Sequence, residues 1–304
     1  MSKIAFMFPG QGSQYVGMGQ DFYSEIPSCR EVFELAGRAS GLDVRGICFE
    51  ENEKIHMTQY TQIAMLTTEI AILKAVLELG VQPEAAGGLS LGEYGALAAG
   101  GVMELDDLFK IIRMRGIFMQ EAVPGGGAMT AVLGIDGEAV EKICGETEGM
   151  VTVANYNCPG QVVITGAETA VALAGQKLLA AGARKCIPLK VSGPFHSPML
   201  KEAGDKLGEV LRDIVIRDIQ IPYLSNVTAD YVTDKAAVKD LLIRQVYSPV
   251  KWQQSMERML ADGVDTFIEI GPGKTLSGFV KKINREVKVI NIEKITDLDK
   301  LRAL

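Results

Sequence analysis

The amino-acid sequence predicts an α/β protein with a mainly parallel sheet, interrupted by a small ferredoxin-like insert. Three observations predict this. Short apolar runs alternate with helix-spaced segments at both ends of the chain, the pattern of a parallel sheet covered by helices. A glycine-rich break stands at Pro124-Gly125-Gly126-Gly127. Between that break and Pro198 the order changes to β-α-β-β-α-β. Division follows at 1–124 and 198–304 for a discontinuous core, with 125–197 as the insert.

Each element has its own warrant. Ile4–Phe8 is a continuous apolar run that meets Pro9-Gly10, a buried strand ending in a loop. Residues 60–79 carry Ile63, Leu66, Ile70, Leu73 and Leu77 at helical spacing. Residues 84–88 form a weakly patterned strand leading to Ser90, and the alanine-rich 91–99 predicts the helix after it. Residues 105–122 predict another helix. In the insert, 128–133, 151–155, 161–165 and 184–191 are strands, while 137–144 and 167–181 are helices. The turn-rich Tyr156-Asn157-Cys158-Pro159-Gly160 joins the two middle strands. Beyond Pro198, 199–214, 238–246 and 252–261 are helices. Residues 221–224, 266–270 and 287–292 are strands.

Composition narrows the function. The chain has 304 residues, 47% hydrophobic and 23% charged, with net charge −7, an ordinary globular balance. An acidic chain without a basic run interleaved with aromatics disfavours nucleic acid and anionic lipid. Lys281, Lys282 and Arg285 form a short basic cluster that reads first as a solvated helix face. The apolar runs are too short for a membrane span. Five cysteines without metal or redox spacing predict reduced thiols in the cytoplasm.

Gly88-Leu89-Ser90-Leu91-Gly92 is a G-x-S-x-G pentapeptide, the pattern of a nucleophile elbow. A glycine turn with a capping serine has the same letters. A serine hydroxyl needs a base, and the chain has two histidines. His56 lies among charged residues and reads as a surface side chain. His196 lies in Ser192-Gly193-Pro194-Phe195-His196-Ser197-Pro198, a stiff irregular segment suited to mounting a catalytic group. Leu91, following the serine, and Gln11, in Phe8-Pro9-Gly10-Gln11-Gly12-Ser13-Gln14, are the candidate oxyanion donors. Two nucleotide motifs fail. Gly273-Lys274-Thr275 lacks the upstream glycine, since Ile268 stands there, and Gly10-Gln11-Gly12 has Tyr15 where a dinucleotide fingerprint needs glycine.

With these segments in this order, the chain resembles the malonyl-CoA:acyl carrier protein transacylases of bacterial fatty acid synthesis. The resemblance spans nearly the whole chain. It includes Ser90-Leu91-Gly92-Glu93-Tyr94, Arg113-Met114-Arg115-Gly116, Asn157-Cys158-Pro159-Gly160-Gln161, Gln245-Val246-Tyr247-Ser248-Pro249-Val250 and Gly271-Pro272-Gly273-Lys274. It implies an α/β-hydrolase-like core with a ferredoxin-like insert, and an active site between the two. It implies ping-pong transfer of malonyl from malonyl-CoA to acyl carrier protein through an ester on Ser90. His196 would be the base, oriented by the main-chain carbonyl of Gln245 in place of a carboxylate. Arg115, which alone would read as a surface arginine, would hold the malonyl carboxylate. Phe195 corresponds to the malonyl-selecting form. No cofactor or metal is implied, coenzyme A entering as the substrate thioester. Leu89 departs from the family's usual histidine before the nucleophile. The rival reading is a serine hydrolase, which would use water as acceptor.

Overall fold

The computed structural model describes residues 2–304. Its first strand, β1 (Ile4–Phe8), lies in the middle of the larger sheet. Helices α1 (Gln20–Glu25), α2 (Pro27–Ser40), α3 (Val44–Phe49) and α4 (Thr58–Glu78) follow before β2 (Ala85–Gly88). A 3-10 turn over Ser90–Gly92 then leads into α5 (Glu93–Ala99) and α6 (Leu105–Glu121). The second sheet takes β3 (Gly127–Leu133), β4 (Val151–Cys158), β5 (Gln161–Ala167) and β6 (Lys185–Pro188), with α7 (Gly137–Gly145) and α8 (Glu168–Ala180) between them. The chain returns through α9 (Lys201–Leu211) and the short strands β7 (Tyr223–Leu224) and β8 (Tyr231–Val232). It closes with α10 (Val238–Gln245), α11 (Trp252–Ala261), β9 (Thr266–Ile270), α12 (Thr275–Ile283) and β10 (Lys288–Ile292).

The six-stranded sheet has the order β10-β9-β1-β2-β7-β8. All its pairings are parallel except β7 with β8. The other sheet is antiparallel with the order β4-β5-β3-β6, which is the ferredoxin-like arrangement. In β1 the side chains alternate between two cores. Phe6 and Phe8 join the cluster formed with α2, α4 and α6, while Ala5 and Met7 join Trp252, Met256 and Phe267. This is the period of two expected of a strand covered on both faces. The sequence of β2 is only Ala-Ala-Gly-Gly. It serves as a central strand because small residues admit its neighbours: a Cβ on Gly87 would stand 3.3 Å from Met259 Cε.

α4 is long and apolar enough by composition to cross a membrane, contrary to the expectation that no such segment exists. It is instead the core helix, with Ile63, Leu66, Ile70 and Leu73 all buried. Several predicted ends also move. The helix expected over 199–214 ends at Leu211, and the strand expected over 184–191 ends at Pro188. α1, α2, α3, α12 and β8 were not anticipated. All five cysteines are free thiols. The antiparallel sheet is joined to the core by main-chain bonds at Val250, in the segment between α10 and α11: Tyr156 N–H donates to Val250 O at 2.9 Å, and Val250 N–H to Ala154 O at 2.8 Å.

Candidate active site

Ser90 stands where β2 turns sharply into α5, with a left-handed φ of 54°. The glycines around it are required by contact. A Cβ on Gly88 would lie 1.9 Å from Gly92 O, and one on Gly92 would lie 2.1 Å from Phe8 O. The strand, the turn and the β1 loop therefore meet backbone to backbone. Ser90 N–H donates to Asn226 Oδ1 at 2.7 Å, and Asn226 Nδ2 donates to Gly88 O at 2.7 Å, so one amide clamps both sides of the turn.

His196 is buried and also left-handed, with φ 59°. Its Nδ1 lies 2.9 Å from Gln245 O. A carbonyl accepts only, so Nδ1 carries the proton and Nε2 presents its lone pair. Ser90 Oγ lies 2.7 Å from that Nε2. Serine, histidine and main-chain carbonyl thus form a relay without a carboxylate member. Burial, followed by the nearby Arg115 cation, depresses His196 to about 4, while its bonds to the Gln245 and Ser248 backbone pull the other way. The imidazole is therefore neutral, the form a base requires, across the physiological range.

Arg115 lies in α6 with no exposed surface. Its Nη2 donates to Ser90 Oγ at 3.1 Å and to Gln245 Oε1 at 3.0 Å; its Nη1 donates to Gln62 Oε1 at 2.7 Å. None of these partners is charged, and Nε has no partner among the described residues. The guanidinium also faces the Tyr94 ring, 5.5 Å from its centroid. A buried guanidinium supported by neutral groups beside a nucleophile is prepared for an anion.

The cleft over Ser90 has a volume of about 210 Å³ and lies between the two sheets. Gln11, Leu89, Ser90 and Phe279 line it from the larger sheet's side. Met129, Asn155 and Val163 line it from the antiparallel sheet. Phe195 is buried at its wall. Leu91 follows the nucleophile in the 3-10 turn, among first-turn N–H groups that lack a partner within the helix. The Gln11 side-chain amide donates to Thr58 Oγ1 at 3.1 Å. Its backbone N–H, which bonds no acceptor among the described residues, is therefore the group left for an oxyanion. Leu89 points into the cleft and packs with the apolar cluster of α11 and α12, a role without polarity.

The expected residues Gln11, Ser90, Leu91, Arg115, Phe195, His196 and Gln245 therefore converge. His56 is exposed in a short 3-10 turn, away from the cleft lining. Lys281 donates to Arg285 O and Val287 O, tying down the end of α12, and Lys282 reaches Gln161 Oε1 at 3.0 Å. Three residues were not anticipated: Gln62, Asn226 and Glu93. Glu93 Oε2 accepts from Asn226 N at 3.0 Å and from Gln245 Nε2 at 2.7 Å beneath the nucleophile. Glu93 adjoins the G-x-S-x-G pattern, so its position in sequence was a usable signal. Gln62 and Asn226 carry no local signal.

Comparison with known proteins gives a consistent picture. A family described as the acyl transferase domain matches residues 5–299. The malonyl CoA-acyl carrier protein transacylase of Bacillus subtilis (strain 168) is 48% identical over 297 residues, covering 96% of this chain and 94% of that protein. The crystal structure of the malonyl CoA-acyl carrier protein transacylase from Clostridium perfringens Atcc 13124 superposes with a TM-score of 0.96 at 43% identity, over 99% of this chain and 96% of that one. A malonyl-transacylase solved in complex with its type II PKS acyl-carrier protein gives a TM-score of 0.95 at 37% identity, over 98% of each chain.

Proposed function

This chain belongs to the acyl transferase family, and on that premise we propose that it moves a malonyl group from malonyl-CoA to the pantetheine thiol of acyl carrier protein, in the cytoplasm and for fatty acid synthesis. The observation that carries the reading is the Arg115 guanidinium. It is fully buried, bonded only to neutral groups, and 3.1 Å from the hydroxyl that His196 activates. An acyl group ending in a carboxylate satisfies that cation. An uncharged acyl group leaves it without an anion.

The transfer runs in two halves. Ser90 Oγ attacks the thioester carbonyl carbon while His196 Nε2 takes the hydroxyl proton. The N–H groups of Gln11 and Leu91 receive the developing oxyanion, each such donor being worth roughly 3 kcal/mol. The carbon–sulfur bond breaks, and His196 returns the proton to the departing coenzyme A sulfur. In the second half the pantetheine thiol gives its proton to His196 and attacks the ester carbonyl. Ser90 Oγ leaves and recovers the proton. Thioester is exchanged for thioester, so the overall step is nearly thermoneutral. We assign residues 125–197 as the insert that closes the cleft from above, opposite the core of 1–124 and 198–304.

The test is acyl selectivity. Arg115→Ala is expected to lose malonyl transfer by about 10²-fold or more while gaining, relative to malonyl, on acetyl-CoA. Retention of the wild-type malonyl preference in that variant would refute the assignment. Release of free malonate at the same rate with and without carrier protein would favour the hydrolase reading instead.

A further inference from the structure

Beneath Ser90 a buried cation and a buried carboxyl group are held apart by a single amide. Gln245 Nε2 donates to Glu93 Oε2 at 2.7 Å, and its Oε1 accepts from Arg115 Nη2 at 3.0 Å. Glu93 and Arg115 have no exposed surface. Glu93 Oε1 and Arg115 Nε are each without a partner among the described residues. A direct pair would satisfy the guanidinium and close it to other anions. The interposed amide keeps the charges near one another and the guanidinium available.

We propose that Glu93 sets acyl selectivity at one remove: through Gln245 its charge keeps Arg115 aimed while the cleft is empty, and competes with the incoming malonyl carboxylate for the same guanidinium. The inference rests on the malonyl reading above and deepens it. Two anions that share one buried cation weaken each other's hold, and that coupling is reciprocal. Arrival of a malonyl group therefore favours a proton on Glu93, whereas arrival of an acetyl group does not.

The groups that face Glu93 make the competition simple. They are Tyr94 on its own helix, Tyr223 of β7, Asn226, Gln245 of α10 and Arg115 of α6. Burial pushes both tyrosines further up, so Arg115 is the one cation in the set. Burial also pushes Glu93 up to about 7, against the opposing pull of Asn226, Gln245 and Arg115. The competitor is thus removed by a proton near neutrality. His196, depressed to about 4, keeps one charge state over the same range.

The experiment compares kcat/KM and KM for malonyl-CoA and acetyl-CoA between about pH 6 and about pH 8, in the wild-type protein and in Glu93→Gln. A glutamine oxygen can occupy the position of Oε2 and keep both incoming bonds, so the substitution removes charge more than geometry. Above neutrality the variant is expected to bind malonyl-CoA more tightly relative to acetyl-CoA by about 5-fold, the low end of coupling between linked sites. In the wild type, the malonyl-to-acetyl ratio of kcat/KM is expected to rise as the pH falls through neutrality; in Glu93→Gln it should be flat. Equal losses for both acyl groups would show a merely structural role and overturn the proposal. If the variant does not fold, the wild-type profile decides, and a flat ratio overturns it. Absence of any malonyl transfer by the wild-type protein is a different result: it removes the underlying reading, and this inference with it.

Discussion

Ser90 and His196 are two of only three non-glycine residues with left-handed backbone among those described, the third being Ala229. Each such residue costs on the order of 1–3 kcal/mol, and here both strained residues are the reacting pair. Their placement explains a pH dependence. His196 must be neutral to accept the Ser90 proton, and its depressed value of about 4 keeps it so. Acetyl transfer, which the Glu93 competition does not touch, is therefore expected to hold a constant rate as pH falls through 6.5 and to drop only near 4. Because Arg115 is one cause of the depression, Arg115→Ala should move that acid limb upward, read from the pH profile of residual acetyl transfer. An unmoved limb would separate Arg115 from the base. His196→Ala should lower the acylation rate by about 10²- to 10⁴-fold, measured as the appearance of acyl-protein. Ser90 and His196 were legible in the sequence because a G-x-S-x-G pattern and a count of two histidines leave few choices. Arg115 was legible only through the family resemblance, since nothing else in 105–122 distinguishes it from Arg113, which lies partly buried over the Tyr60 ring.

Helix α4 and the elbow are the elements that hold the site, and each carries a prediction. Glu69 of α4 is fully buried, and neither carboxyl oxygen has a partner among the described residues. Burial raises its pKa well above the ordinary carboxylate range. The folded protein therefore keeps a proton that the unfolded chain gives up, and stability falls as pH rises above about 4.3. Glu69→Met is expected to raise stability at neutral pH by about 1–3 kcal/mol and to flatten that slope, measured by urea unfolding at several pH values. A destabilised variant would mean that the carboxyl has a partner. At the elbow, Gly92→Ala would drive a Cβ against Phe8 O and Pro9 O, displacing the loop that carries Gln11. The expected result is a folded protein slowed in acylation, with circular dichroism checking the fold. The elbow's glycines were readable because contact, not propensity, demands them. β2 was only weakly readable because its residues are chosen for closeness. α2 and α12 were readable in principle: Cys29, Val32, Phe33 and Ala36, and likewise Leu276, Phe279 and Val280, have helical spacing and are buried.

At the scale of the molecule, function depends on two sheets facing each other across one cleft. Val250, between α10 and α11, ties the antiparallel sheet to the core, donating to Ala154 O and accepting from Tyr156 N–H. Val250→Pro removes that donor and should loosen the cleft, raising KM for malonyl-CoA with faster amide exchange in β4; unchanged exchange there would show that the antiparallel sheet is held in another way. The insert's strand order was legible because βαββαβ allows few arrangements. The network of Gln62, Glu93, Arg115, Asn226 and Gln245 was not, because its members come from four helices and a loop, and spacing along the chain says nothing about such convergence. The central claim is that Ser90 carries the acyl group between two thiols. It is tested most directly by intact-protein mass spectrometry after brief mixing with malonyl-CoA, then with holo acyl carrier protein. The expected result is a gain of one malonyl group, lost in Ser90→Ala and discharged onto the carrier. A wild-type protein that gains no mass while still converting malonyl-CoA would contradict it.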